Sequence, residues 1–465
     1  MRIDQGILTS KLITDNPEII KVLYDRFGFY VPGYQYVGAY KNRRWDGKKR
    51  HFSKNGEFRT GLTSKVKEAL DIIGWEDPDN FIPVRHALKP VKSFKYREYQ
   101  TEAIQHCLLS KRCILDSPTG SGKTLIMAGV VRSLLDANPG MKGIVLFKEK
   151  GILKQTYDFF KKCGIDCIGT NSGEGYEDGQ IMLTTVQSIE RVLHTHLEDS
   201  KLLMIDEAHQ FCKGDTTIAA IEAFPNASYR FAFTATVPGE GAKDVNARMV
   251  LEGAFGEVYT TRTADDLIKD GMLAKPIIQI VEYVPTKLVD DDISYQKAYE
   301  EHIVESQQRN GMINSITTKI QKNNPKAKIL ILVKNLRHIE ILKFSEDIKG
   351  YRSNCYTVEG KDNLEDRYNT IKEFVDHPES AIIIGTNVMQ TGISIDEITH
   401  MINARGLEGE IPTIQGLGRG IRKAEGKDTM YFYDFYDKVP YLEKHSKSRI
   451  KHYKKLKFEV NDVKL

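Results

Sequence analysis

The sequence predicts an α/β chain: two tandem parallel-sheet domains behind a small α+β N-terminal domain. Three observations carry that prediction. A short apolar run, Cys113-Ile114-Leu115, leads through the turn Ser117-Pro118-Thr119-Gly120-Ser121-Gly122-Lys123-Thr124 into a second apolar run, Leu125 to Val131. Another apolar run, Leu202 to Ile205, ends on two adjacent carboxylates, Asp206 and Glu207. After Pro276 a fresh series of buried-type strands begins, with members at 277–281, 329–333 and 381–384. Apolar strands alternating with amphipathic helices are the mark of a parallel sheet. The 465 residues leave room for about three domains of ~150 residues each. Composition and punctuation divide the chain into 1–90, closing at Pro83 and Pro90, then 91–275, 276–437 and a basic tail over 438–465.

The first element is a strand, a Gly-rich turn and a helix start, which is the setting of a phosphate-binding loop. Backbone N–H groups of such a turn face a polyanion, and small residues let phosphates approach closely. Pro118, Thr119, Gly120, Ser121, Gly122, Lys123 and Thr124 are therefore the candidate nucleotide-binding residues. Lys123 is expected to reach the β- and γ-phosphates, and the Thr124 hydroxyl to ligate Mg²⁺. The strict pattern opens with Gly, where this chain has Ser117. At the second element, Asp206 is placed to hold Mg²⁺ through a water, and Glu207 to orient and deprotonate the attacking water. A lone Asp-Glu pair would read as a solvated turn; downstream of a phosphate-binding loop it reads as catalytic.

From Lys95 to Arg422 the ordered motifs resemble those of superfamily 2 helicases of the DEAH-box type, Asp206-Glu207-Ala208-His209 among them. The resemblance implies two tandem RecA-like parallel-sheet motor domains that use ATP and Mg²⁺. Tyr96-Arg97-Glu98-Tyr99-Gln100 resembles the adenine-reading element, with Arg97 and Gln100 as nucleotide residues and Gln100 as the base reader. Phe147 to Gln155 sits where such proteins touch the nucleic-acid backbone, which nominates Lys148 and Gln155. It departs from the usual Pro-Thr at Lys148-Glu149. Thr184 to Ser188 resembles a second backbone-contacting turn and nominates Thr185 and Gln187. Phe233-Thr234-Ala235-Thr236 resembles the motif that couples ATP state to domain movement. Gly385-Thr386-Asn387 through Gly392-Ile393-Ser394 resembles the motif facing both ligands, with Thr386 toward nucleic acid and Gly392 toward ATP. Its last place is often Asp.

Gln415-Gly416-Leu417-Gly418-Arg419-Gly420-Ile421-Arg422 resembles the arginine-finger helix. The implied catalytic residues there are Gln415, Arg419 and Arg422, the arginines neutralising charge on the γ-phosphate in the transition state. Spaced three apart, they are expected to share one helical face. The resemblance also implies that ATP binding stabilises a closed pair of motor domains and that hydrolysis releases it.

Net charge is only +4, but it is uneven. Between Lys41 and Arg59 there are eight Lys/Arg against two acids, interleaved with Trp45, Phe52 and Phe58. Between Tyr441 and Lys457 there are seven Lys/Arg against one Glu. Such patches give salt-dependent phosphate binding with little base readout; Arg43, Arg44, Lys48 and Lys49 are the candidates, displayed by a turn at Trp45-Asp46-Gly47. Residues 40–48, then Thr60-Gly61-Leu62 and a helix over 64–73, resemble the N-terminal domain of UvsW-like phage helicases, which remodel branched DNA. The resemblance implies a monomeric motor acting on forked or junction DNA. An RNA helicase of the same superfamily, a duplex translocase without strand separation, and a non-catalytic nucleic-acid binder are the alternatives.

No apolar run approaches the ~20 residues that span a bilayer, so no membrane partner is expected. The N-terminus lacks the apolar core of a signal peptide. Six scattered cysteines offer Cys163 and Cys167 without a second pair for zinc. The expected location is cytoplasmic, in a bacterial host if phage-encoded.

Overall fold

The computed structural model describes residues 1–72, 74, 86–171, 175–212, 214–239, 244–286, 289–290, 292–343, 354–359, 362, 364–386, 395–408 and 420–463. These fall into two units, Met1–Arg262 and Thr263–Leu465.

In the first unit, β1 (Arg2–Asp4), β2 (Thr9–Ile13), β3 (Gly28–Tyr30), β4 (Lys48–Arg50) and β5 (Glu57–Arg59) belong to the N-terminal part. β1, β2 and β5 form an antiparallel sheet, and β3 pairs with β4 as a separate antiparallel ribbon. Alternation in β2, with Ser10 and Leu12 inward and their neighbours outward, is what a half-buried sheet requires. Helices Pro17–Arg26 and Thr63–Asp71 complete the α+β layer. Its core of Leu12, Leu23, Phe52, Phe58, Leu62 and Val66 also takes in Met249 from helix Val245–Phe255. Gly61 lies so close to that helix that an added Cβ would stand 2.0 Å from the Glu252 carbonyl oxygen. His51 and Asn246 bond across the same seam at 3.0 Å. The N-terminal part is thus packed onto the larger sheet of this unit with a shared core.

That larger sheet has eight strands: β6 (Arg112–Asp116), β7 (Lys142–Phe147), β8 (Ile168–Asn171), β9 (Tyr176–Glu177), β10 (Ile181–Thr185), β11 (Ser200–Ile205), β12 (Tyr229–Thr234) and β13 (Val258–Thr260). The spatial order is β13-β6-β12-β11-β7-β10-β8-β9, and every pairing except β8 with β9 is parallel. Continuous apolar runs suit these strands because helices cover both faces; Ile144, Leu146, Leu203 and Ile205 pack on one side, and Val145, Phe147, Leu202 and Met204 on the other.

The second unit holds an all-parallel sheet of β14 (Lys275–Tyr283), β15 (Lys328–Leu332), β16 (Cys355–Val358), β17 (Ala381–Gly385), β18 (His400–Asn403), β19 (Thr429–Asp437) and β20 (Glu459–Val463). Its order is β16-β17-β15-β18-β19-β14-β20. Two expectations are corrected here. The segment expected as a basic tail forms helix Leu442–Lys455 and the edge strand β20, paired in parallel with β14. Leu442, Ser446, Arg449 and Tyr453 recur at helical spacing and are buried, so this face packs on the sheet while the lysines point away. And Arg422 does not continue a helix: it bridges Leu273, with the Ala274 N–H donating to the Ile421 carbonyl at 2.7 Å as the chain turns toward β19.

Candidate nucleotide and nucleic-acid site

Parallel strands put all their C-terminal ends on one edge, where open α/β sheets bind ligands. In the first unit that edge presents, strand by strand from β6, the turn after Asp116, then Thr234, then Asp206 and Glu207, then Lys148, then Thr185 and Gln187. Residues scattered over the sequence become neighbours because β6, β12, β11, β7 and β10 stand side by side.

The turn after β6 runs into helix Lys123–Ala137. Gly120 and Gly122 have φ of +85° and +81°, a region closed to most side chains. A Cβ on Gly122 would also meet the Gln100 amide nitrogen at 2.5 Å. The turn is held from below. The Ser117 N–H donates to the Thr234 carbonyl at 2.9 Å, and a hydroxyl chain runs from Thr261 through Ser117 to Ser121 at 2.9 and 2.7 Å. The Lys123 ammonium donates to the carbonyls of Ser117 at 3.1 Å and Pro118 at 3.5 Å. A cation resting on backbone carbonyls of its own loop is available to a phosphate. Thr124 is half-buried on the first turn of the helix.

Gln100 is placed differently from a base reader. It is 2% exposed, its amide donates to the Ser121 carbonyl at 2.9 Å, and its carbonyl accepts the Arg97 N–H at 3.0 Å. Tyr99 donates to the same Ser121 oxygen at 2.6 Å. Both polar ends of Gln100 are therefore spent on bracing the phosphate loop against helix Glu98–Ser110, whose first turn Arg97 precedes.

Beyond β11, the Asp206 carboxylate accepts the Glu207 N–H at 2.9 Å. Glu207 has φ of 51° and ψ of 51°, a left-handed conformation that costs a non-glycine residue about 1–3 kcal/mol. One of its carboxylate oxygens is buried without a hydrogen bond, 3.5 Å from the Nδ1 of His209. His209 Nδ1 also meets the Thr234 hydroxyl at 3.0 Å, and that hydroxyl donates to the Thr236 carbonyl. His209 is held below the usual imidazole range by burial, with Glu207 opposing and Lys123 and Lys148 adding to the depression. At neutral pH it is therefore uncharged, and it links the Glu207 segment to Thr234 and Thr236. His209 and Thr261 were not singled out from sequence; the first was hidden inside its four-residue motif, the second is brought in by β13 pairing with β6.

On the far side of the edge, Lys148 is half-buried and Gln155 and Gln187 are exposed. Thr185 is buried, its hydroxyl donating to Ser188 at 3.1 Å, so it shapes the turn that displays Gln187. Arg43, Arg44 and Lys49 are exposed and Lys48 half-buried, all on or beside the β3–β4 ribbon and distant in sequence from the edge.

In the second unit Thr386 follows the C-terminal end of β17. Arg422 lies at the opposite edge, before β14 and β19, 3.8 Å from Asp396 and with a buried Nε that has no hydrogen bond. Lys427, 5% exposed, donates at 2.6 Å to the carbonyls of both Asp396 and Gly420 and so fixes the chain on either side of Arg422. Gly392, Gln415 and Arg419 lie outside the described residues.

The residues present fit a nucleotide bound with a divalent cation. Donors of the turn, a cation that forms no ion pair among the described residues and a carboxylate at a nearby strand end are what a polyphosphate and its ion require.

Two family profiles match the chain: "Type III restriction enzyme, res subunit" over residues 93–239, and "Helicase conserved C-terminal domain" over residues 311–424. The chain is 24% identical to the ATP-dependent DNA helicase uvsW of Enterobacteria phage T4, over 94% of its own length and 93% of that protein. It is 22% identical to the DNA 3'-5' translocase XPB2 of Sulfurisphaera tokodaii, over 71% of this chain and 79% of that one. Among solved structures, a fragment of an HsdR subunit of a type I restriction enzyme from Vibrio vulnificus superposes with a TM-score of 0.60 at 18% identity, covering 85% of this chain and 73% of that one. That likeness concerns the fold.

Proposed function

Because the chain belongs to the superfamily 2 helicases, we propose that it is an ATP-dependent DNA helicase that unwinds or branch-migrates forked and junction DNA. The observation that carries this reading is the shared sheet edge, where the phosphate loop, Thr234 and the Asp206-Glu207 pair stand on three adjacent strands. When bound, ATP supplies the γ-phosphoryl group transferred to water, and Mg²⁺ neutralises its charge. Lys123 binds the β- and γ-phosphates, Thr124 and Asp206 hold the ion, and Glu207 takes the proton of the attacking water. His209 reports the state of that carboxylate to Thr234 and Thr236. Arg422, with Arg419, supplies positive charge in the transition state.

Lys148, Gln155, Gln187 and Thr386 serve the sugar–phosphate backbone, with Thr185 shaping the turn that displays Gln187, so hydrolysis is turned into movement along a strand. Cations at the β3–β4 ribbon add affinity for phosphates outside the motor. DNA is favoured over RNA by the relation to uvsW, whose name is that of a DNA helicase and which this chain matches almost end to end. A second reading, duplex translocation without strand separation, is favoured by the restriction-enzyme profile over the first motor domain.

The deciding experiment is ATP-dependent strand separation on a four-way junction, a fork, a blunt duplex and an RNA duplex. Junction and fork DNA should be processed fastest, and Lys123→Ala should process none. Preference for the RNA duplex, or ATP turnover with no separation of any substrate, would remove the DNA-remodelling assignment.

A further inference from the structure

The β3–β4 ribbon carries more than charge. Between Tyr30 and Lys48 the chain makes an excursion through a 3₁₀ turn at Tyr34–Tyr36 and a short helix at Gly38–Lys41. No residue from Val31 to Asp46 is buried. This knuckle therefore lacks a core of its own. Rings hold it instead: Tyr30 stacks on Tyr34 at 4.5 Å, and Tyr34 meets Tyr40 edge-on at 4.8 Å. Gly47, with φ of +81°, lets the Tyr34 ring lie where its Cβ would be. Trp45 is pinned by its Nε1–H to the Lys48 carbonyl at 2.9 Å.

Tyr36 takes part in none of this. It is 76% exposed, and Tyr30 beside the stack is 49% exposed. Exposed aromatic surface gathered on one ribbon and rimmed by polar residues marks an interaction site. The surrounding charge says which partner. Lys41, Arg43, Arg44 and Lys49 form no ion pair among the described residues, and the Lys48 ammonium lies 5.1 Å over the Tyr30 ring. The one acid of the knuckle, Asp46, is occupied by Arg50 at 2.6 Å. Tyr40, Lys41, Arg43, Arg44 and Trp45 line an open recess of about 590 Å³. Rings displayed among uncompensated cations match a ligand with flat apolar faces joined by phosphates. In a closed duplex those faces are stacked away; in an unpaired strand they are free. The knuckle is also fixed to the motor, since Asn246 donates to the Tyr30 carbonyl at 3.0 Å.

We propose that this knuckle is a stacking platform for unpaired nucleotides, with Tyr36 as the base-stacking residue, the Tyr30–Tyr34 stack supporting it, and Arg43, Arg44 and Lys49 on the flanking phosphates. It rests on the reading of the chain as a branched-DNA helicase and adds what the accessory part recognises: bases exposed where strands separate. A basic patch alone would not distinguish open from closed DNA.

The test is binding of the full chain, by fluorescence anisotropy, to two forks of equal charge whose single-stranded tails carry either normal bases or abasic sites. Wild type should bind the normal fork more tightly, and Tyr36→Ala should lose about 5- to 150-fold on that fork alone, since each stacked base contributes that factor. Tyr36→Trp should retain the preference. The double charge reversal Arg43→Glu, Arg44→Glu should weaken both forks alike and flatten the salt dependence. Equal binding of both forks by wild type, or an undiminished preference in Tyr36→Ala, would overturn the platform while leaving the cationic contact standing. Unchanged affinity and salt slope in the charge-reversed chain would instead remove Arg43 and Arg44 from the phosphate contact and overturn the platform as drawn, whereas failure of the helicase reading itself would show as no strand separation on fork or junction DNA.

Discussion

At the scale of single residues, the proposed function divides the work of ATP turnover between the turn at 117–124 and the carboxylate pair, and each has a distinct physical signature. Lys123 rests on loop carbonyls at 3.1 and 3.5 Å, a position from which it is drawn by phosphate. Glu207 is held in a left-handed backbone conformation with one buried oxygen lacking a hydrogen bond, which keeps a proton acceptor free. Glu207→Gln should therefore bind ATP with near wild-type affinity and lose about 10²–10⁴-fold in DNA-stimulated turnover. Lys123→Ala should lose both binding and turnover. Single-turnover hydrolysis beside equilibrium binding of a fluorescent ATP analogue separates the two, and wild-type turnover by Glu207→Gln would strip that residue of its role. The sequence displayed these residues plainly because each depends on a local arrangement of strand, turn and helix. It did not display the bracing role of Gln100, since the Ser121 carbonyl that takes its amide lies 21 positions away. Nor could it show Thr261 supporting Ser117, a contact made only when β13 closes on β6.

At the scale of elements, charge concealed structure in helix Leu442–Lys455. Seven cations between Tyr441 and Lys457 read as a solvated tail, yet Leu442, Ser446, Arg449 and Tyr453 were spaced as one helical face. What was missing from the linear pattern is that one of the cations belongs to that face. Arg449 is 1% exposed and donates to Asp434 of β19 at 2.8 and 3.1 Å, while Tyr453 donates to the same carboxylate at 2.7 Å. Lys444, Lys447, Lys451, Lys454 and Lys455 remain outside, exposed. Removing Arg449 leaves a buried carboxylate without its cation, which typically costs about 3–5 kcal/mol. Arg449→Ala should accordingly destabilise the second unit by that order in urea denaturation, whereas Lys451→Ala should change it by under ~0.5 kcal/mol. Equal small effects would mean that the helix is docked by its apolar contacts and that the buried pair adds nothing. The strands announced by continuous apolar runs, by contrast, were legible, whereas β20 inside the expected tail was not. Runs such as Ile382-Ile383-Ile384 are buried on both faces, and only a covered parallel sheet gives such runs a place.

At the scale of the whole molecule, two units mean two stabilities, and acid should distinguish them. Among the described residues, two buried histidines of the second unit have no acidic partner: His338, 0% exposed and bonded through Nε2 to Asn310 at 2.9 Å, and His400, 8% exposed and stacked on Tyr431. Burial, with Arg309 adding to it, pushes His338 down to about 3, and burial pushes His400 down to about 4. Both are neutral when folded at pH 5, whereas in the unfolded chain they take up protons below about 6.5. The unfolded state therefore binds more protons throughout that window, so stability is fully present above about pH 6.5 and falls as the pH drops. Between pH 7 and pH 5 each histidine should withdraw about 2 kcal/mol from the second unit. Histidines of the first unit, His51, His106 and His209, are depressed in the same direction by burial, but each has Asn246, Glu257 or Glu207 pulling back. Urea denaturation should thus show a transition that moves strongly to lower urea at pH 5, assigned to the second unit because His338→Gln flattens its pH slope. A motor that needs Arg422 for hydrolysis would then lose ATP turnover at a urea concentration where the first unit still binds nucleotide. Transitions that shift in parallel with pH, or a slope unaltered by His338→Gln, would show that these buried imidazoles do not set the acid limit of the protein.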